Sequence, residues 1–195
     1  MIIYWDSETE TFRPGRRAPP IICVQWAVDN NAPLLMTRRG EITDGTYDES
    51  GRLKVWQHIS DSNDPFSDWF RSMVAAATLM VGHNLPYDLI AFAAHNADLL
   101  PSIYQALREN RCTDTEQRQK VVDIGKGQYR RLIIPAKNKG DSPHVVPLQY
   151  NLGAVAKRHG SDANKADPWR KNYALLADVP LADWPSFTAT VNEID

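Results

Sequence analysis

Cysteine is scarce in this chain: Cys23 and Cys112 are the only two in 195 residues, far apart and without metal-ligand spacing. That excludes a disulfide framework and a Cys-based zinc site, and both thiols read as reduced core residues. Long apolar runs are missing as well. None approaches the roughly eighteen residues of a membrane span, and the N-terminus is an acidic strand with no signal-peptide pattern. A cytoplasmic protein with no membrane partner is therefore expected. Positive charge is not in excess: 22 Lys and Arg stand against 24 Asp and Glu, a formal net charge of −2. Nucleic-acid binding gains no support from global charge, so any such contact has to be local. None of the five histidines has zinc-site spacing, and no internal repeat or low-complexity tract is present.

What remains is an ordinary globular composition, with 43% hydrophobic and 24% charged residues in a length suited to one domain. The chain opens on Ile2-Ile3-Tyr4-Trp5-Asp6-Ser7-Glu8-Thr9, a β-branched and aromatic run that reads as a buried strand. Asp6 and Glu8 stand two apart where the strand runs out, so both side chains point to one face. Two like charges that close raise each other's pKa unless a cation lies between them. Hard oxygen donors at this spacing suit Mg²⁺ or Mn²⁺. Taken alone, Asp-x-Glu reads first as a solvated acidic pair after a strand.

A second segment bears on that choice. Residues 78–81, ending Leu79-Met80-Val81, read as a short strand, Gly82-His83-Asn84 as a turn, and Pro86 as the opening of a helix. Asp88 then falls in the first helical turn, where the dipole favours an anion. Capping alone explains Asp88, and a turn alone explains Asn84.

Together, Asp6-x-Glu8 and His83-Asn84-x-x-Tyr87-Asp88, about eighty residues later, resemble the first two motifs of the DEDD (DnaQ-like) 3′–5′ exonucleases. The likeness is nearest to proofreading domains of family A DNA polymerases of bacteriophage type. It implies that Asp6, Glu8 and Asp88 hold two Mg²⁺ or Mn²⁺ ions and that Thr9 contacts the nucleic acid with Asn84 in support, while His83 and Tyr87 either contact the terminal nucleotide or pack. The implied substrate is a single-stranded DNA 3′ end.

The family's third motif is Tyr-x-x-x-Asp or His-x-x-x-x-Asp, and phage-type members often carry a lead-in like Asp178-Val179-Pro180-Leu181-Ala182-Asp183-Trp184-Pro185. Counting on from it, the fourth catalytic and metal-binding carboxylate falls at Asp195, with Val191 at the Tyr position and Thr190 at the His position. Valine can neither orient a water nor exchange a proton. Two expectations follow. Either residues 1–195 are the exonuclease domain at the N-terminus of a longer polymerase, monomeric and followed by the polymerase domain, or the site is degraded and the domain binds without cleaving.

The rest of the chain reads as an α/β domain. Strands are expected at 21–28 and 33–37, joined by an Asp29-Asn30-Asn31-Ala32 turn. With the first strand they make three antiparallel strands, followed by parallel ones: a ribonuclease H-like mixed sheet flanked by helices. Residues 38–63 read as a surface loop. Asp64 caps a helix carrying Phe66, Trp69, Phe70 and Met73, and helices are expected at 86–99 and 102–109. Asp114 is either a supporting acid of the site or a helix cap. An inserted strand at 128–135 and a Gly-ended helix at 148–160 complete the pattern. Basic residues gather at Lys126, Arg130, Arg131, Lys137 and Lys139, and at Lys157, Arg158, Lys165, Arg170 and Lys171. Such groups are either a solvated face or a track for phosphates.

Overall fold

The computed structural model describes residues 1–11, 15, 18–58, 63–128, 131–134, 144–161 and 172–184, with backbone alone at 57–58, 131–134 and 144–146. The chain divides into two compact units, one of residues 1–113 with 166–195 and one of 114–165.

The first unit is built on β1 (Ile2–Thr9), β2 (Ile21–Val28), β3 (Leu34–Thr37), β4 (Glu41–Thr43) and β5 (Gln57–His58). There follow α1 (Pro65–Ala76), β6 (Leu79–Gly82), α2 (Leu85–His95), α3 (Leu100–Arg108) and β7 (Cys112–Asp114). Strand order is β5-β4-β3-β2-β1-β6-β7. Neighbours from β1 to β5 are antiparallel, whereas β6 lies parallel to β1. This is the expected ribonuclease H-like α/β topology. The central strand, β1, is where antiparallel pairing gives way to parallel.

The antiparallel part is longer than expected. Residues 38–63 do not form a plain loop: they supply β4 and β5, together with a Tyr47–Leu53 bridge. β4 is only three residues, Glu-Ile-Thr, too short for its alternation to be read. All three are buried. Glu41 survives burial because Thr37 Oγ1 donates to Oε2 at 3.1 Å and the Leu181 N–H donates to it at 3.2 Å.

Each face of the sheet is covered differently. Ile3, Trp5, Val24 and Trp26 pack on one face against Phe66, Trp69 and Phe70 of α1, Leu89 and Phe92 of α2, and Ile103 of α3. On the other face, Ile22, Cys23, Leu35 and Leu53 pack against Tyr173, Leu176, Leu181 and Trp184. Thus the 178–184 lead-in is anchored by its apolar side chains, and Trp184 Nε1 donates to the Val179 carbonyl at 3.1 Å. Cys23 is fully buried, Cys112 is half-buried, and neither forms a disulfide.

Phe92 is the hub of the helical face. It is fully buried, stacks on Phe70 at 4.7 Å between centroids, and meets Trp5 at 5.5 Å and Trp69 at 5.7 Å. Phe92→Ala is expected to cost about 3–5 kcal/mol, since removing a buried ring loses its transfer energy and leaves a cavity. A loss of unfolding free energy in urea of less than a third of that would contradict this packing.

α2 ends at His95, not at 99. Asn96 is extended (φ −147°, ψ 110°), and its side chain caps a short 3-10 turn at 97–99. The Asp64 cap on α1 is as expected, accepting from the Ser67 N–H.

In the second unit, α4 (Thr115–Gly125) precedes the antiparallel pair β8 (Arg131–Ile134) and β9 (His144–Pro147), and α5 (Leu152–Arg158) follows. The expected inserted strand at 128–135 is therefore β8, paired with a second strand. The helix begins at 152, with Asn151 as its cap, not at 148. α4 and α5 are joined through buried Asp123. Arg158 donates to its Oδ2 at 2.7 Å and Gln119 to its Oδ1 at 2.9 Å. Burial acts to raise the Asp123 pKa, but these bonds outweigh it and hold the carboxyl below its ordinary value. Among the described residues, no helix is long and apolar enough to cross a membrane.

Candidate active site at the end of the first strand

Alternation along β1 sorts its side chains. Trp5 and Ser7 are buried toward the helices, while Asp6 is exposed and Glu8 half-buried on the opposite face. Asp6 pairs with Gln25 and Glu8 with Cys23, before a bulge between Glu8 and Thr9. Bulges re-aim side chains where pairing ends, and they recur beside functional sites.

β1 outruns its parallel neighbour, because the last pair with β6 is Tyr4 with Val81. Past that point the edge of β1 is met by the first turn of α2. Asp88 Oδ1 accepts from the Ser7 N–H at 3.1 Å and from Ser7 Oγ at 2.5 Å. One residue earlier, Tyr87 Oη and Thr9 Oγ1 share a hydrogen bond of 2.6 Å. Two contacts therefore tie α2 to the end of β1, and the two sequence motifs become neighbours in space.

The connecting turn explains the residues chosen for it. A Cβ on Gly82 would lie 2.9 Å from Leu85 Cδ1 and 3.2 Å from its Cβ, so a larger residue here would force the Leu85 side chain to shift where the helix starts. Asn84 is left-handed (φ 63°, ψ 41°) and its side chain makes no capping bond to α2, while its carbonyl accepts from the Tyr87 N–H at 2.9 Å. Asparagine tolerates this conformation better than other residues with a Cβ. Asn84→Ala is therefore expected to cost about 1 kcal/mol or more, with Asn84→Gly the more stable of the two in urea unfolding. The reverse order would contradict the backbone account.

Asp88 is 1% exposed. Burial first, and then the negative charge of Asp6, push its carboxyl up to about 7 against the lowering effect of the Ser7 bonds. Asp6 and Asp88 are thus close enough to act on each other. Glu8 shares the Asp6 face, and Thr9 and Tyr87 form a joined hydroxyl pair at the rim. His83 and Asn84 lie on the turn before α2, His83 half-buried and Asn84 exposed.

Among the described residues, no three His, Cys, Asp or Glu side chains are gathered so as to hold a metal by themselves. A magnesium site does not require three: one or two carboxylates suffice when waters and substrate phosphates complete the octahedron. The carboxylates of Asp6 and Asp88 are hard-oxygen donors close enough to repel each other, and a cation would relieve that repulsion, so the donor set fits such an ion.

Asp114 accepts from the N–H groups of Glu116 and Gln117, so it caps α4. Arg158, in the second basic group, is committed to Asp123 and lies 5.1 Å from the Tyr150 ring centroid. Thr190, Val191 and Asp195 lie outside the described residues, as do Arg130, Lys137, Lys139, Lys165, Arg170 and Lys171. Sequence reasoning missed Ser7. A serine between two acids reads as a spacer, and its significance comes from a contact 81 positions along the chain. No protein-family model and no curated protein matches the chain.

Proposed function

We propose that this protein is a metal-dependent 3′–5′ exonuclease that removes nucleotides from single-stranded DNA ends, a proofreading activity. The observation that carries the reading is the pair of Ser7–Asp88 hydrogen bonds, which bring Asp88 to the C-terminal end of β1 beside Asp6. Asp6 and Asp88 would hold one cation between them, and Glu8, on the Asp6 face, would help hold a second. When bound, two such ions supply Lewis-acid activation of water and neutralise charge on the leaving 3′ oxygen.

The chain's own groups would do the rest. Thr9 and Tyr87 offer hydroxyls to the terminal sugar and phosphate. His83 and Asn84 line the approach from the turn. Asp195 would supply the fourth carboxylate, reached from a lead-in anchored on the same face of the sheet as Glu8. The resemblance further suggests a polymerase domain in the same longer chain as the functional partner.

Polarity tests the reading. A 5′-labelled single-stranded oligonucleotide should shorten stepwise in Mg²⁺, and two phosphorothioate linkages at its 3′ end should stop it. Shortening that ignores the 3′ block would overturn a 3′–5′ direction. Val191, at the family's Tyr position, favours a second reading, a 3′-end-binding module without turnover. Tight binding of the oligonucleotide with no shortening would support that one.

A further inference from the structure

We propose that Ser7 is a positioning residue for Asp88: its N–H and hydroxyl hold Oδ1, so that Oδ2 is the oxygen presented to a divalent cation. The inference rests on the exonuclease reading and assigns Ser7 a part in it. Ser7 is 5% exposed and faces the helices, opposite Val24, which is fully buried. A hydroxyl in such surroundings is costly unless it is hydrogen-bonded. Asp88 Oδ1 is the acceptor, at the 2.5 Å expected of a charge-assisted O–H···O bond.

The geometry does more than satisfy a buried group. Both Ser7 donors converge on one carboxylate oxygen. One donor is backbone and cannot move away, while the other is a side chain fixed by burial. A carboxylate held twice on Oδ1 cannot rotate without losing one bond, and a cation can take Oδ2 without displacing either. Groups that orient a metal ligand in this way are typically worth 10–100-fold in metal affinity.

Ser7→Ala removes the hydroxyl and keeps the N–H. Mn²⁺ binding to the full chain, followed by electron paramagnetic resonance of the free ion, is expected to weaken by about tenfold. The Mn²⁺ concentration for half-maximal nuclease rate should rise by the same factor, with the rate at saturating Mn²⁺ near that of the wild type. Ser7→Thr restores the hydroxyl and should restore affinity. Equal Mn²⁺ affinity in wild type and Ser7→Ala overturns the assignment. So does a loss in Ser7→Thr as large as that in Ser7→Ala. If the wild type binds Mn²⁺ but no variant changes the metal dependence, the exonuclease reading stands and the role of Ser7 falls. If the wild type binds no Mn²⁺, both fall.

Discussion

Asp6→Ala is expected to slow Mg²⁺-dependent release of 3′ nucleotides by about 10³-fold without loss of folding stability. The size follows from removing one holder of a metal that stabilises transition-state charge by several kcal/mol, where each 1.4 kcal/mol or so is tenfold in rate. The second half of the expectation separates function from fold. Asp6 is exposed, and its charge works against ionisation of Asp88. Its removal relieves that repulsion, so the thermal midpoint should hold or rise slightly. A variant that loses activity and unfolds in parallel would mean that Asp6 serves the fold. A variant with a wild-type rate would remove it from the site.

Asp88→Asn is expected to stabilise the metal-free protein at pH 8 by up to about 4 kcal/mol and to have little effect near pH 4. The Asp88 carboxyl is raised from 3.8 to about 7 in the folded protein, chiefly by burial and then by Asp6. Below pH 4 it is protonated in both states and costs nothing. Between pH 4 and 7 the unfolded chain gives up the proton while the folded chain keeps it, so stability falls as pH rises. Above pH 7 the full penalty is present, about 1.4 kcal/mol for each of roughly three units. Asparagine never ionises, and its Oδ1 can accept the same two bonds from Ser7.

For a protein of this size the difference corresponds to roughly 2–4 °C of thermal midpoint per kcal/mol. Urea unfolding in EDTA from pH 4 to 9 should show the two stability curves diverging from about pH 4 and running level with each other again above about pH 7. Added Mg²⁺ should raise the wild-type midpoint at pH 8, because binding to the native state alone stabilises it. The variant should not respond. Curves that run parallel across the range would contradict the burial of the Asp88 carboxyl beside Asp6.

The parts of the fold that were legible in the sequence are those set by local pattern. β1 and β2 announce themselves by β-branched and aromatic runs, and the strand–turn–helix around Asp88 by Gly82, Asn84 and Pro86. Each carries its own signal within a few residues. The failures share a physical cause. β4 is held by its neighbours and by Leu181, not by its three residues, so nothing within 38–63 marks it. The end of α2 was hidden because apolar residues continue to 99, while Asn96, which stops the helix, is not itself a strong breaker.

The candidate site follows the same rule. Asp6, Glu8 and Asp88 became candidates through the resemblance of two motifs taken together, since Asp-x-Glu alone reads as a solvated acidic pair and a first-turn Asp alone as a helix cap. Ser7 was invisible, because a hydroxyl gains meaning only from the partner that the fold brings to it. Asp114, which reads either as a supporting acid or as a helix cap, is a cap: its Oδ1 accepts from the N–H groups of Glu116 and Gln117.

The most direct test of the account is the shortening of a 5′-labelled single-stranded DNA oligonucleotide by this chain in Mg²⁺, beside Asp6→Ala/Glu8→Ala and an EDTA control. The account expects a ladder of products losing one 3′ nucleotide at a time, absent in the double variant and in EDTA. An intact oligonucleotide with the folded wild-type protein, or a ladder that persists in the double variant, would contradict it.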